Sequence, residues 1–223
     1  MKLRVLAIGA HPDDIEIGCG GTIRLFADQG HEIKFIVITS GEEGSLDFNK
    51  DLLRKNRKIE AQKSAIVLGV SGVLFFEEPD GLTYLGKETK INLIRIIREF
   101  KPEIVFIHSS QDYFPDHQVV SQLSKSAIQA ASGPWYGDAG LVPHNVRDVF
   151  GFEVWNPLQS PQMTVNIDSS IDRKIQALNC HASQTGSLNY VGAIRGLNEY
   201  RGAITMTGKY AESFEVIKVG GVL

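Results

Sequence analysis

The chain has 223 residues, 43% of them hydrophobic and 22% charged, and 23 Lys and Arg against 26 Asp and Glu give a net charge of −3. That length supports one sizeable core, so one domain over residues 1–223 is expected, and the acidic balance excludes nucleic acid as the main partner because phosphate affinity comes from basic side chains. No apolar run nears the roughly 20 residues that cross a bilayer, and the opening MKLRVLAIGAHPDD meets His and two carboxylates where a secretory leader would be cleaved, so a cytoplasmic protein with no membrane span is expected.

Residues 3–9, LRVLAIG, form a short continuous apolar run closed by small residues, the pattern of a strand buried on both faces. A helical pattern covers 20–29. Cys19, just before it, reads as a small core residue, and with only Cys180 besides, a disulfide scaffold is excluded. An apolar strand at 33–38, a helix at 52–68, a weaker strand near 73–76, a helix at 87–100, a strand at 104–107 and a helix at 119–131 follow. This alternation predicts parallel pairing in an α/β, Rossmann-like three-layer sandwich with a mostly parallel central sheet, where ligands bind beyond the carboxyl ends of the strands. Residues 132–145 are rich in Gly and Pro and predict a long loop. Such loops often bind ligands, so Trp135 and Tyr136 are candidate substrate contacts, the alternative being that they anchor the loop. Strands at 149–154 and 163–167 and helices at 170–180 and 191–201 complete the chain.

The strongest chemical signal is Ala10-His11-Pro12-Asp13-Asp14, directly after the first strand. His11 offers a neutral imidazole and Asp14 a carboxylate oxygen to one cation, while Pro12 fixes the turn between them. Asp13 cannot easily point the same way as its neighbour and is free to hold a metal-bound water. The same residues suit helix capping, but capping needs one carboxylate, not a His and two. A mononuclear catalytic zinc takes three protein ligands and keeps a fourth position open. Pro115-Asp116-His117, in the loop after the strand ending at 107, is the best source of the third, against a capping or surface role for His117. A dinucleotide site would need G-x-G-x-x-G between strand and helix; here Gly18, Gly20 and Gly21 arrive only after two carboxylates that would repel a pyrophosphate.

AHPDD-x-x-x-G-x-G-G and D-x-x-P-D-H, together with Arg57-Lys58-Ile59-Glu60-Ala61, Pro79-Asp80-Gly81, His181-Ala182-Ser183-Gln184 and Tyr210-Ala211-Glu212-Ser213-Phe214, resemble the LmbE-like, or PIG-L, superfamily of zinc-dependent N-deacetylases. The resemblance implies a zinc ion (Zn2+) held by His11, Asp14 and His117, Asp13 as general base, and release of acetate from an N-acetylated amino sugar. It also implies a place near the substrate for Arg57 and a homo-oligomer, trimeric or hexameric. Many relatives carry His where this chain has Phe114, and that His is thought to assist at the carbonyl. The assistance is therefore expected to move to His181 or Tyr200, with His108 a weaker third, or to be lost, which would leave a zinc- or sugar-binding protein with little turnover. Asp112 and Asp116 read as loop organisers or as carboxylates behind the ligands, and Thr39-Ser40-Gly41-Glu42 as part of the pocket wall.

Overall fold

The structure is a computed structural model that describes residues 2–81, 84, 86–140, 142–186 and 189–220. In chain order its elements are β1 (Arg4–Gly9), α1 (Asp14–Asp28), β2 (Glu32–Thr39), α2 (Lys50–Leu68), β3 (Gly72–Glu78), α3 (Lys87–Phe100), β4 (Ile104–His108), α4 (Pro115–Ala131), β5 (Asp148–Phe152), β6 (Met163–Asn166), α5 (Ile171–Leu178), α6 (Ala182–Thr185), α7 (Tyr190–Thr205) and β7 (Ala211–Lys218). The strands form one sheet in the order β3-β2-β1-β4-β5-β7-β6. β1 to β5 pair in parallel and β7 is antiparallel to both its neighbours, so the sheet is mostly parallel, as expected.

Strand side chains alternate between the two faces, and here both faces are covered. Leu6, Ile8, Ile36, Ile38, Val105 and Ile107 pack with Leu93 and Ile97 of α3 and Val120 and Ala127 of α4. Val5, Ala7, Ile33, Phe35, Ile104 and Phe106 pack on the other side with Ile23 of α1, Ala65 and Leu68 of α2 and Leu178 of α5. From β1 the chain works outward through β2 to β3, then returns to β4 on the other side of β1. The connections leaving β1 and β4 therefore diverge and open a crevice at their carboxyl ends, the place where open α/β sheets bind ligands.

Three differences from the sequence pattern have physical reasons. α1 begins at Asp14 rather than at 20, and α4 at Pro115 rather than at 119. In both, the first turn buries polar residues, Asp14 and Glu16 in one and Asp116 and His117 in the other, which hides the apolar period. Proline at the first helical position of α4 costs no hydrogen bond. The sequence pattern does not announce β7, because Glu212 and Ser213 break its apolar run. Glu212 is nevertheless buried: its carboxylate accepts from the backbone N–H groups of Gly21 and Thr22, where α1 is kinked at Cys19, and pairs with the buried Lys174 at 2.6 Å.

α4 has 17 residues and so runs about 25 Å, from the carboxyl edge of the sheet to its amino edge. The loop that follows stays at that amino edge. His144 contacts Pro102 O at 2.8 Å, and Arg147 N–H donates to Glu103 O, both just before β4 starts. The buried guanidinium of Arg98 on α3 organises this loop by donating to the carbonyls of Gly133, Trp135, Tyr136 and Gly140.

Candidate metal centre and active-site cavity

The loop leaving β1 carries His11, α1 opens on Asp14, and the first turn of α4 carries His117, so the switch point of the sheet brings the three together. His11 Nδ1 lies 3.3 Å from His117 Nε2 and 3.4 Å from Asp14 Oδ2, and His117 Nε2 lies 3.3 Å from Asp14 Oδ1. Ligands about 2.0–2.1 Å from a tetrahedral ion sit roughly 3.3 Å apart, so these three side chains have the spacing of a group that could hold a cation. The outward nitrogens decide how the rings face. His11 Nε2 is 3.0 Å from Asp80 Oδ1 and 3.1 Å from Asp116 Oδ2, and His117 Nδ1 is 2.9 Å from Asp112 Oδ2. Carboxylates only accept, so each outward nitrogen carries the hydrogen and each inward nitrogen presents a lone pair to the others and to Asp14. Lone pairs converging at this distance require a positive charge between them.

Without an ion, protons supply that charge. Burial lowers the pKa of His117, but the Asp14 and Asp112 carboxylates override it and raise it from 6.5 to about 9. His11 is likewise raised, its burial outweighed by Asp14, Asp116 and Asp80. Asp14 is buried, yet His117, His108 and His11 hold it well below the usual carboxylate range.

Asp13 stands apart from this trio. It is a non-glycine residue held at φ 129° and ψ −25°, a backbone state that costs on the order of 1–3 kcal/mol and persists only where the surroundings impose it. Its side chain makes no capping hydrogen bond, unlike Asn49 and Asn189, which cap α2 and α7, so the capping alternative fails for it. Instead its carboxylate turns to Arg57, 3.1 Å away. Arg57 also donates to Pro12 O at 2.8 Å and Gly41 O at 2.9 Å, tying the β1 and β2 loops together. Gly41 is required there: its φ is +68°, and a Cβ would meet the guanidinium at 2.6 Å. Burial raises the Asp13 pKa from 3.8 to about 6; Arg57 opposes the shift and Asp14 adds to it.

His11, Asp13, Asp14, Arg57, Asp80 and Asp116 face a cavity of about 470 Å³, whose wall is completed by Glu43, Gly44, Gly81, Tyr113, Phe114, Trp155, Gln184 and Tyr190. Phe114 is 37% exposed and lays its ring against His11 and His117, with centroids 5.8 and 5.0 Å away.

The model of the GlcNAc-PI de-N-acetylase (PIG-L) family matches residues 6–128, a stretch that holds every side chain of the cation site. The chain belongs to the PIG-L family. It is 30% identical to the diacetylchitobiose deacetylase of Thermococcus kodakarensis over 81% of this chain and 70% of that one. It is 28% identical to the 4-oxalmesaconate hydratase of Pseudomonas putida over 95% of this chain and 88% of that one. Among solved structures, the N,N'-diacetylchitobiose deacetylase of Pyrococcus horikoshii, complexed with an inhibitor, superposes with a TM-score of 0.85 at 25% identity, covering 96% of this chain and 83% of that one.

Within this PIG-L chain, the residues expected from sequence fall into three groups. His11, Asp13, Asp14 and Arg57 line the cavity, with Arg57 spent on Asp13 and two carbonyls, and the fully buried His117 meets His11 and Asp14 behind its wall. Two histidines lie behind it. His108 is buried and stacked on His117 with centroids 4.0 Å apart, and its Nε2 accepts from Ala10 N–H; burial, then the neighbouring His117, pull its pKa down to about 4. His181 is buried too and its Nε2 is 3.1 Å from Glu16 Oε1, so it packs behind Asp13 and does not line the cavity.

Trp135, Tyr136 and Tyr200 lie elsewhere. The first two sit in the Arg98-bound loop at the amino edge, a full helix length from the cation site, and Tyr136 packs on the core beside α3 and α4. Tyr200 is 57% exposed on α7, whose buried positions are Ile194, Asn198, Arg201 and Gly202, so helical phase turns it outward. The Thr39–Glu42 segment gives the wall nothing directly; Glu43 and Gly44 line it instead. Cys19 is a buried free thiol in the core, as expected. Sequence reading missed Asp80, Tyr113, Trp155 and Tyr190 as site residues. Asp80 had a signal, the Pro79-Asp80-Gly81 turn, whereas Trp155 and Tyr190 look like any core aromatic until the fold places them.

Proposed function

We propose that this chain is a zinc-dependent hydrolase, a single domain over residues 1–223, that removes the acetyl group from an N-acetylated amino sugar and releases acetate. The observation that carries the reading is the convergence of two imidazole lone pairs and a carboxylate beside a strained, buried Asp13 whose carboxylate faces an open cavity. His11, Asp14 and His117 are the ligand set that suits zinc, which when bound polarises a carbonyl and makes water a nucleophile near neutral pH. Asp13 takes the proton of the attacking water and delivers it to the departing amine, a role worth about 10²–10⁴ in rate. Arg57 holds the carboxylate in line.

The cavity wall also bears on the substrate. Its acidic side chains are Asp13, Asp14, Glu43, Asp80 and Asp116, and among the described lining residues the only Lys or Arg is Arg57, already engaged. A polycarboxylate substrate, as suggested by the hydratase relative, would meet no free positive side chain there. A neutral sugar amide meets aromatic faces at Tyr113, Phe114, Trp155 and Tyr190, the mixture of apolar wall and few polar groups usual in small-molecule sites. The test is acetate release from a panel including N-acetylglucosamine, diacetylchitobiose and N-acetylglucosaminyl conjugates, with zinc-loaded and chelated protein. Release that needs zinc supports the proposal. No acetate from any compound by fully zinc-loaded protein, with hydration of an unsaturated oxo-acid instead, overturns it.

A further inference from the structure

The first turn of α1 supplies Asp14, and soon afterwards the helix breaks: Cys19 sits at φ −144° and ψ 16°, between Gly18 and the pair Gly20-Gly21. Glycine is a poor helix former, which lowers the cost of a break there. In an unbroken helix Gly21 N–H would donate to Ile17 O. Here Gly21 N–H donates to Glu212 Oε1 at 2.8 Å, while Ile17 O accepts from Lys174 Nζ at 2.7 Å. Lys174 and Glu212 are themselves paired at 2.6 Å, so an ion pair from α5 and β7 stands inside one helical hydrogen bond. Insertion of a side chain into the ladder is a known cause of helix kinks.

Each charge has the sign that its half of the helix needs. The half at residues 14–18 ends on carbonyls and meets the ammonium, and the half from 20 onward begins on N–H groups and meets the carboxylate. Thr22 strengthens the second contact, its N–H and Oγ1 donating to Glu212 Oε2 at 2.7 and 2.6 Å. Both charged side chains are fully buried. Such a pair commonly stabilises a fold no better than apolar side chains of similar volume, because both ions lose their water. What it supplies here is direction. The short first half is gripped on its other sides, since a Cβ at Gly18 would meet the Phe152 ring at 2.2 Å and the Glu16 carboxylate is held by Ser64 and His181. Ile17 O, one turn after Asp14, is the grip that comes from the far end of the chain. Lys174 and Glu212 both lie beyond residue 128, outside the stretch matched by the family model.

We propose that Lys174 and Glu212 are positioning residues for the cation site: standing in the break of α1, they set the direction of residues 14–18 and so hold Asp14 where its carboxylate meets His11 and His117. The inference rests on the zinc reading above. Neither residue lines the cavity, and both act through Asp14.

Lys174→Met together with Glu212→Gln removes both charges at nearly constant size and lets Gly21 N–H return to Ile17 O. Zinc affinity of the folded double variant, measured by competition with a chelator at neutral pH, is expected to fall about tenfold, while the urea midpoint of the metal-free protein stays close to the parent's. An affinity within about threefold of the parent's overturns the inference even where the midpoint falls, because a purely structural pair behaves in that way. Lys174→Glu together with Glu212→Lys restores the pairing but turns each charge towards the wrong half of the helix. Its affinity is expected to stay low, and a return to the parent value overturns the inference. Should neither variant fold, the parent decides. Coupling is reciprocal, so zinc is expected to slow hydrogen exchange at the Gly21 and Thr22 amides more than at the core of β2, and equal slowing overturns the inference. If the parent itself binds no zinc, the functional reading has failed; if the parent binds zinc and the variants match it, only the role of the pair has.

Discussion

Both edges of the sheet bury charge, and they do it differently. At the amino edge the Arg98 guanidinium is surrounded by carbonyls of the loop after α4, its N–H groups directed at the backbone acceptors of Gly133, Trp135 and Gly140. At the carboxyl edge His11, Asp14 and His117 are held from behind by Asp80, Asp116 and Asp112, and their remaining electron pairs converge on one point beside a cavity. The first arrangement is closed and its product is loop shape. The second is incomplete without a cation, and Asp13 beside it occupies a backbone state that folding alone would not select. Buried charge therefore marks a chemical site where its bonds leave a ligand position open, not where they are saturated.

The contrast can be broken from either side. Asp13→Ala strikes the open edge and has the largest expected effect, a fall in acetate release of about 10²–10⁴-fold with bound zinc retained, read from turnover and metal analysis on one sample. Unchanged turnover would remove Asp13 from the chemistry. Arg98→Met strikes the closed edge. It removes a buried guanidinium and the donors of several loop carbonyls, so unfolding free energy in urea is expected to drop by about 3 kcal/mol while kcat per folded molecule stays at the parent value. Lost turnover in the folded fraction would show that the amino-edge loop does reach the site.

The smallest effect concerns pH. The folded pKa of His117 is raised from 6.5 to about 9, so its stabilising contribution in metal-free protein is complete below 6.5 and is lost as pH climbs towards 9; His11, also raised, acts in the same direction. The urea midpoint of chelated protein is expected to decline across that window. Zinc, which needs both imidazoles neutral, should protect more strongly at its upper end. A flat midpoint without metal would contradict the converging lone pairs.

Much of this was legible before any coordinates. The run at 3–9 and its successors at 33–38 and 104–107 carry strand patterning local enough to read, and His11, Asp13, Asp14 and His117 stand at strand and helix ends, where such residues are costly unless used. Harder to see were the helix starts at Asp14 and Pro115, because a site built into a first turn replaces apolar residues with polar ones and erases the period that announces the helix. The place of Trp135 and Tyr136 was hard to read for a different reason: a Gly- and Pro-rich segment says that the chain turns, not at which end of the sheet.

The sequence by itself determined the α/β alternation and set His11 beside Asp14, because both depend on residues close in the chain, whereas His117 as their partner and the departure at Phe114 are read from motif order and the resemblance to the PIG-L superfamily. Only the tertiary structure decided that Asp80 backs His11, that Arg57 serves Asp13, that Glu212 admits β7 into the sheet, and that Trp155 and Tyr190 close the cavity. Those pairings join segments tens to nearly two hundred residues apart. Their meeting is fixed by strand order and by which helix covers which face, quantities that no local window contains.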